Sequence, residues 1–126
     1  MRDQILAWID QDRDLLVEFL SKFIQARSPN PPGDTLAAAA HVTGFLDREK
    51  LVHRVIAPNK IMPNIVASFD AAAPGKDLVL NGHIDVFPVG DESRWKHGAW
   101  SGAIADGNVY GRGSSDMKCG TTASIF

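Results

Sequence analysis

Apolar positions between Gln4 and Ala26 recur three and four residues apart: Ile5, Trp8, Ile9, Leu15, Leu16, Phe19, Leu20 and Phe23. Asp10, Asp12, Arg13 and Glu18 fill the opposite side. This period predicts one amphipathic helix whose apolar stripe packs on a core. Its polar face is more acidic than basic, which disfavours a membrane-surface role. The pattern stops at Ser28-Pro29-Asn30-Pro31-Pro32-Gly33-Asp34, where proline removes amide donors and glycine permits a turn. A second helix is expected from Leu36 to about Glu49. Asp34 or Thr35 can cap it, and the alanine run Ala37–Ala40 suits close packing on a sheet.

Beyond Glu49 the period changes. Leu51–Ile56 alternates, is rich in β-branched residues and reads as a strand ended by Pro58. Asn64–Phe69 reads as a second strand, and Ala71–Lys76 as a turn around Pro74-Gly75. Leu78–Asn81 opens on a continuous apolar run, as expected of a strand covered on both faces. From Asp85 to Asp106 the chain is loop-like, with Trp95 and Trp100 expected to pin the loop to the body rather than face a substrate. Asp106-Gly107 signals a tight turn and Asn108–Tyr110 a short strand after it. Lys118–Phe126 can begin a helix. Helix, helix, strand, strand, strand points to an α/β layer structure with a partly mixed sheet.

Composition narrows the function classes. The 126 residues suit one domain or part of one, and a 44% hydrophobic fraction is ordinary for a globular chain. Thirteen basic against fifteen acidic residues leave a formal charge of −2, which disfavours nucleic-acid binding by bulk electrostatics. One cysteine, Cys119, excludes an internal disulfide and leans towards a reducing compartment. The N-terminus lacks a signal-peptide pattern, and no apolar run nears the roughly 18 residues of a membrane span. The expectation is a soluble, cytoplasmic protein.

Two stretches carry candidate chemistry: Gly82-His83-Ile84-Asp85, and Gly111-Arg112-Gly113-Ser114-Ser115-Asp116-Met117-Lys118. Alternating strand geometry puts His83 and Asp85 on one face. Gly82 lets the backbone approach something closely. A neutral imidazole ligates zinc well, and Asp85 can accept its other N–H. A structural His–Asp pair at a strand end is the competing reading. Asp116 sits at a loop-to-helix junction, where it can bridge cations or cap the helix. A phosphate loop is excluded by spacing, since neither the Walker pattern nor the third glycine of the dinucleotide fingerprint is present.

These residues resemble the M20 family of zinc-dependent amidohydrolases and exopeptidases, which includes acetylornithine deacetylase, succinyl-diaminopimelate desuccinylase, aminoacylase and carboxypeptidase members. The likeness runs through Ser28–Gly33, Asn64–Ala67, Gly82–Pro88 and Asp106–Lys118, in family order over nearly the whole chain. It implies the N-terminal part of a layered α/β/α zinc-hydrolase catalytic domain, with the lid or dimerisation domain absent. His83 would ligate one zinc, Asp85 would orient His83 as a catalytic residue, and Asp116 would bridge two zinc ions through a cis peptide to Met117. Two zinc ions per complete site, replaceable by cobalt, would activate water to cut the amide of an N-acyl amino acid or short peptide. The resemblance further implies a homo-oligomer in the full-length form, with no nucleic-acid or membrane partner.

The family's later ligands and its Glu-Glu pair, which includes the general base, lie beyond Phe126. Lacking the base alone costs about 10²–10⁴ in rate. These 126 residues are therefore expected to be an incomplete piece, inactive by itself. The alternative is a non-catalytic module that folds and associates. Cys119 stands where the family commonly has glycine, and His97-Gly98-Ala99-Trp100 replaces an acidic-Pro-Phe segment. No histidine is marked as a base for Cys119, so a cysteine nucleophile is not expected.

Overall fold

The computed structural model describes residues 1–70, 72 and 74–126. Among the described residues four α-helices and four short strands follow one another as α1 (Arg2–Gln11), α2 (Arg13–Gln25), α3 (Leu36–Arg48), β1 (His53–Ile56), β2 (Asn64–Ala67), β3 (Ala103–Ala105), β4 (Asn108–Tyr110) and α4 (Lys118–Ile125), with one 3-10 turn at Glu92–Arg94. This is an α/β chain. No helix among the described residues is long and apolar enough to cross a membrane.

The core lies where α2 meets α3 and α4. Phe19 and Phe23 of α2 pack with Ala38, Val42, Phe45 and Leu46 of α3, and Leu51, Ile65, Ile84 and Ile125 close over them. Ala38 and Ala39 are buried, so the small side chains do permit close approach. The Asp34 carboxylate accepts the Leu36 amide at 3.0 Å and starts α3.

The single helix expected over residues 4–26 is two helices meeting at Asp12. The backbone there leaves helical geometry (φ −91°, ψ 5°), although Asp12 N–H still donates to Trp8 O. The reason lies in burial. α2 buries Phe19, Leu20, Ser21, Phe23 and Ile24, whereas no residue of α1 is buried.

The strands expected at 51–56 and 64–69 form as the shorter antiparallel pair β1–β2, with His53 opposite Ala67 and Ile56 opposite Asn64. β3 and β4 form a second hairpin. Its turn residues Asp106 and Gly107 both have positive φ, 51° and 75°, as a two-residue hairpin turn demands. The strand expected at Leu78–Asn81 is not formed. Its apolar run has no ladder partner among the described residues, and Leu78 and Val79 are 82% and 83% exposed. The turn expected over residues 71–76 falls partly on Ala71 and Ala73, which lie outside the described residues.

One point of parallel pairing matters for the site. Val86 N–H donates to Ser28 O at 2.9 Å and Asn30 N–H donates to Val86 O at 2.8 Å, bridging Pro29 to Val86. The proline-rich connection thereby lies against the segment that follows His83.

Candidate functional site

His83 and Asp116, 33 residues apart, meet at the rim of an open cleft of about 590 Å³. Asn30, Asp85, Trp95, Arg112 and Ser115 also line it. Two arms of the chain bring the pair together.

The His83 arm is residues 82–86. Ser28 Oγ donates to Ile84 O at 2.7 Å, which together with the parallel bridge fixes the main chain on one side. On the other side Thr121 Oγ1 of α4 donates to His83 O at 3.1 Å. Gly82 is needed for that approach: a Cβ there would stand 2.7 Å from Thr121 Oγ1.

The Asp116 arm is residues 111–118. Gly113 has φ 89°, and a Cβ on it would meet Val86 Cγ1 at 2.6 Å. The Asp116–Met117 peptide is cis. Lys118, the first residue of α4, is fully buried. Its ammonium donates to Phe23 O and Ala26 O at 2.7 Å each and lies 4.8 Å from the Phe23 ring centroid. It therefore caps the carbonyl end of α2, where the helix dipole favours a cation. Burial pulls its pKa down to about 8.

The imidazole of His83 is oriented by Asp85. Its Nδ1 donates to the Asp85 main-chain carbonyl at 2.9 Å, and Asp85 Oδ1 is 3.2 Å from the same nitrogen. The aligned hydrogen bond is thus to the carbonyl, with the carboxylate beside it. Both oxygens only accept, so Nδ1 carries the hydrogen. In the neutral ring Nε2 then presents a lone pair, and it faces Asp116 Oδ1 at 3.1 Å. Two acceptors this close are joined by a proton or by a metal ion. Partial burial works against a charge on the ring, but the Asp85 carbonyl and the Asp116 and Asp85 carboxylates outweigh it. The pKa of His83 is therefore raised.

The donor set suits one edge of a zinc site. Atoms 3.1 Å apart can both sit about 2 Å from one ion, the usual zinc–nitrogen and zinc–oxygen distance. No group of three or more His, Cys, Asp or Glu side chains that could hold an ion occurs among the described residues. The residues present fit two corners of such a site.

Trp95 pins the loop as expected. Its Nε1 donates to Val89 O at 3.0 Å, and the Arg112 guanidinium lies 4.9 Å from its ring centroid. Trp100 has the Arg27 guanidinium 5.7 Å from its ring. The Cys119 thiol donates to Ser115 O at 3.1 Å. His41 and His53 are bonded to the Phe19 and Leu51 carbonyls, and His97 lies on Tyr110 with centroids 4.2 Å apart.

Residues 79–126 match the model of peptidase family M20/M25/M40. The family is one of hydrolases, and the match covers both arms from Gly82 to Lys118. Curated relatives are similar to the chain. A succinyl-diaminopimelate desuccinylase of Rhodopseudomonas palustris is 47% identical over 49% of this chain and 16% of its own length. One from Nitrobacter hamburgensis is 54% identical over 41% of this chain and 13% of its own length. An N-formyl-4-amino-5-aminomethyl-2-methylpyrimidine deformylase of Halalkalibacterium halodurans is 30% identical over 98% of this chain and 30% of its own length. The chain thus spans less than a third of the length of each of these relatives.

Asn30, Thr121 and Lys118 were not singled out by sequence reasoning as site-building residues. Asn30 sits in the proline-rich motif and Lys118 in the loop motif, so both were in view. What each one touches was not.

Proposed function

We propose that these residues form the first part of the catalytic domain of a zinc-dependent amide hydrolase, with His83 and Asp116 as two of its metal ligands. The observation that carries this reading is the facing pair of acceptors, His83 Nε2 and Asp116 Oδ1 at 3.1 Å, with Nδ1 already committed to Asp85. Such a pair binds a cation, and a divalent metal competes with the single proton that otherwise joins it. A bridging role for Asp116 between two zinc ions, or cobalt in their place, is consistent with its second carboxylate oxygen.

When bound, the metal would supply Lewis-acid polarisation of an acyl carbonyl and acidify water. The chain's own residues do the rest of what the site needs here. Asp85 keeps the proton on Nδ1, so that Nε2 faces the metal. Trp95 and Arg112, packed on one another, also line the cleft. Remaining ligands and a general base would come from polypeptide other than these 126 residues. The substrate class would be N-acyl amino acids or short peptides; the desuccinylase and deformylase names of the relatives support the N-acyl amide part of this reading. The single cysteine favours a reducing, cytoplasmic setting.

A second reading has one observation in its favour. The exposed run Leu78-Val79-Leu80 is suited to pairing with another polypeptide, as a non-catalytic associating module or a homo-oligomer would require.

Zinc titration against a chromophoric chelator tests the first reading. The parent chain should bind zinc, and His83→Ala and Asp116→Ala should each abolish uptake. Unchanged zinc binding in both variants would refute it. Saturable zinc binding without release of acid or amine from N-succinyl and N-formyl amides would leave catalysis to a larger assembly. A zinc-independent oligomer in sedimentation would favour the second.

A further inference from the structure

We propose that Asn30 is a positioning residue for the His83 imidazole and acts through Asp85. This rests on the metal reading above and adds a residue to it from the proline-rich connection, which that reading leaves without a role. The Asn30 amide donates from Nδ2 to Asp85 Oδ2 at 2.8 Å. The other carboxylate oxygen, Oδ1, is then 3.2 Å from His83 Nδ1. The aligned bond from Nδ1 goes to the Asp85 main-chain carbonyl, so the ring alone does not fix the Asp85 carboxylate. Asn30 does. Without it, rotation about the Asp85 side-chain torsions can carry that charge away from the ring and into the cleft, where it would compete as a ligand with Asp116.

The anchoring of Asn30 suits this task. Its main chain is held by the bond from Asn30 N–H to Val86 O, one residue past Asp85, and by the bond from Val86 N–H to Ser28 O. The amide and the carboxylate therefore ride on paired backbone and keep their register. Asn30 is exposed, and its bond to Asp85 is the one hydrogen bond recorded for its side chain among the described residues. Folding has little use for that bond, whereas orientation of His83 does. Along the cleft wall the contacts run from Asn30 to Asp85 to His83 to Asp116, with each link between 2.8 and 3.2 Å.

The test uses the whole chain with Asn30→Ala and the near-isosteric Asn30→Leu. Zinc affinity is read by chelator competition. The His83 ring-nitrogen shifts are read by NMR on the metal-free chain at about pH 8, where they report the tautomer. Both variants should bind zinc about 10-fold more weakly, the lower end of what partners behind a ligand contribute. Their ring shifts should move away from the parent values as the Asp85 carboxylate leaves Nδ1, with the thermal midpoint unchanged. Ring shifts that stay at the parent values, with zinc affinity within about twofold of the parent, would overturn the proposal. If His83→Ala leaves zinc binding intact, the metal reading has failed instead. The ring shifts of the metal-free Asn30 variants then decide the role of Asn30 by themselves.

Discussion

The two arms that meet at the cleft are held by different physics. The Asp116 arm is anchored inside the molecule. Lys118 is fully buried on the carbonyl end of α2, Thr122 is buried beneath it and donates to Lys118 O at 2.7 Å, and Lys118 N–H donates to Gly113 O at 2.9 Å. The His83 arm has Val86 buried and Ile84 against the core, but most of its ties are polar bonds to its neighbours: Ser28 to Ile84, Val86 to Ser28, Asn30 to Asp85, Thr121 to His83. The residues leading into it are exposed from Leu78 to Leu80. A metal site assembled this way has one corner whose main chain is set by the core and one held chiefly by hydrogen bonds. In the first the backbone is anchored through Lys118, while the Asp116 side chain itself is exposed. The second can be retuned by single polar substitutions at low cost to folding.

Lys118→Met should have the largest effect, because it leaves the buried Phe23 carbonyl and the partly buried Ala26 carbonyl at the end of α2 without this donor. A loss of about 2–4 kcal/mol in urea unfolding is expected. A variant as stable as the parent would mean that the Asp116 arm is no better anchored than its counterpart. Ser28→Ala removes one partly buried hydroxyl bond on the His83 arm, with an expected loss of about 1 kcal/mol. If the two losses came out equal, the contrast between the arms would collapse.

The smallest effect is a pH dependence on the core side. His41 packs on Phe19 and Phe23 and bonds to Phe19 O, behind the α2 surface that Lys118 caps. Burial lowers its pKa. The Phe19 carbonyl opposes that shift, and the charges of Lys118, Lys22 and Arg48 add to it. The unfolded chain therefore takes up this proton at higher pH than the folded chain does. The stabilisation is complete above the ordinary imidazole value and is lost as pH falls through the lowered one. Urea midpoints at about pH 7.5 and pH 5 should differ more in the parent than in His41→Phe. An equal difference in both would remove His41 from the account.

Much of the fold was legible because local pattern decides local structure. The α3 boundaries, the Asp106-Gly107 hairpin and the start of a helix at Lys118 all follow from periodicity and turn chemistry. The misreadings share one cause. Residues 4–26 have a continuous helical period, yet only the α2 part found a surface to pack on, and the chain turns at Asp12. Leu78–Asn81 has the pattern of a covered strand, yet no strand among the described residues lies beside it. In both places the pattern states a preference for burial and cannot say what is available to bury against.

The site divides in the same way. By itself the sequence determined which groups were available: an imidazole after a glycine, an acid two residues on, and another acid in a glycine-loosened loop. It left open whether they were structural pairs, caps or ligands, and family resemblance rather than spacing narrowed that choice. Only the tertiary structure decided that Nε2 of His83 faces Asp116, that Asn30 reaches Asp85, and that a lysine is buried to hold the second arm in place. Those contacts join residues 33, 55 and more than 90 positions apart. Local propensity acts over a few residues, whereas contacts at such separations depend on how the helices and the proline-rich connection pack.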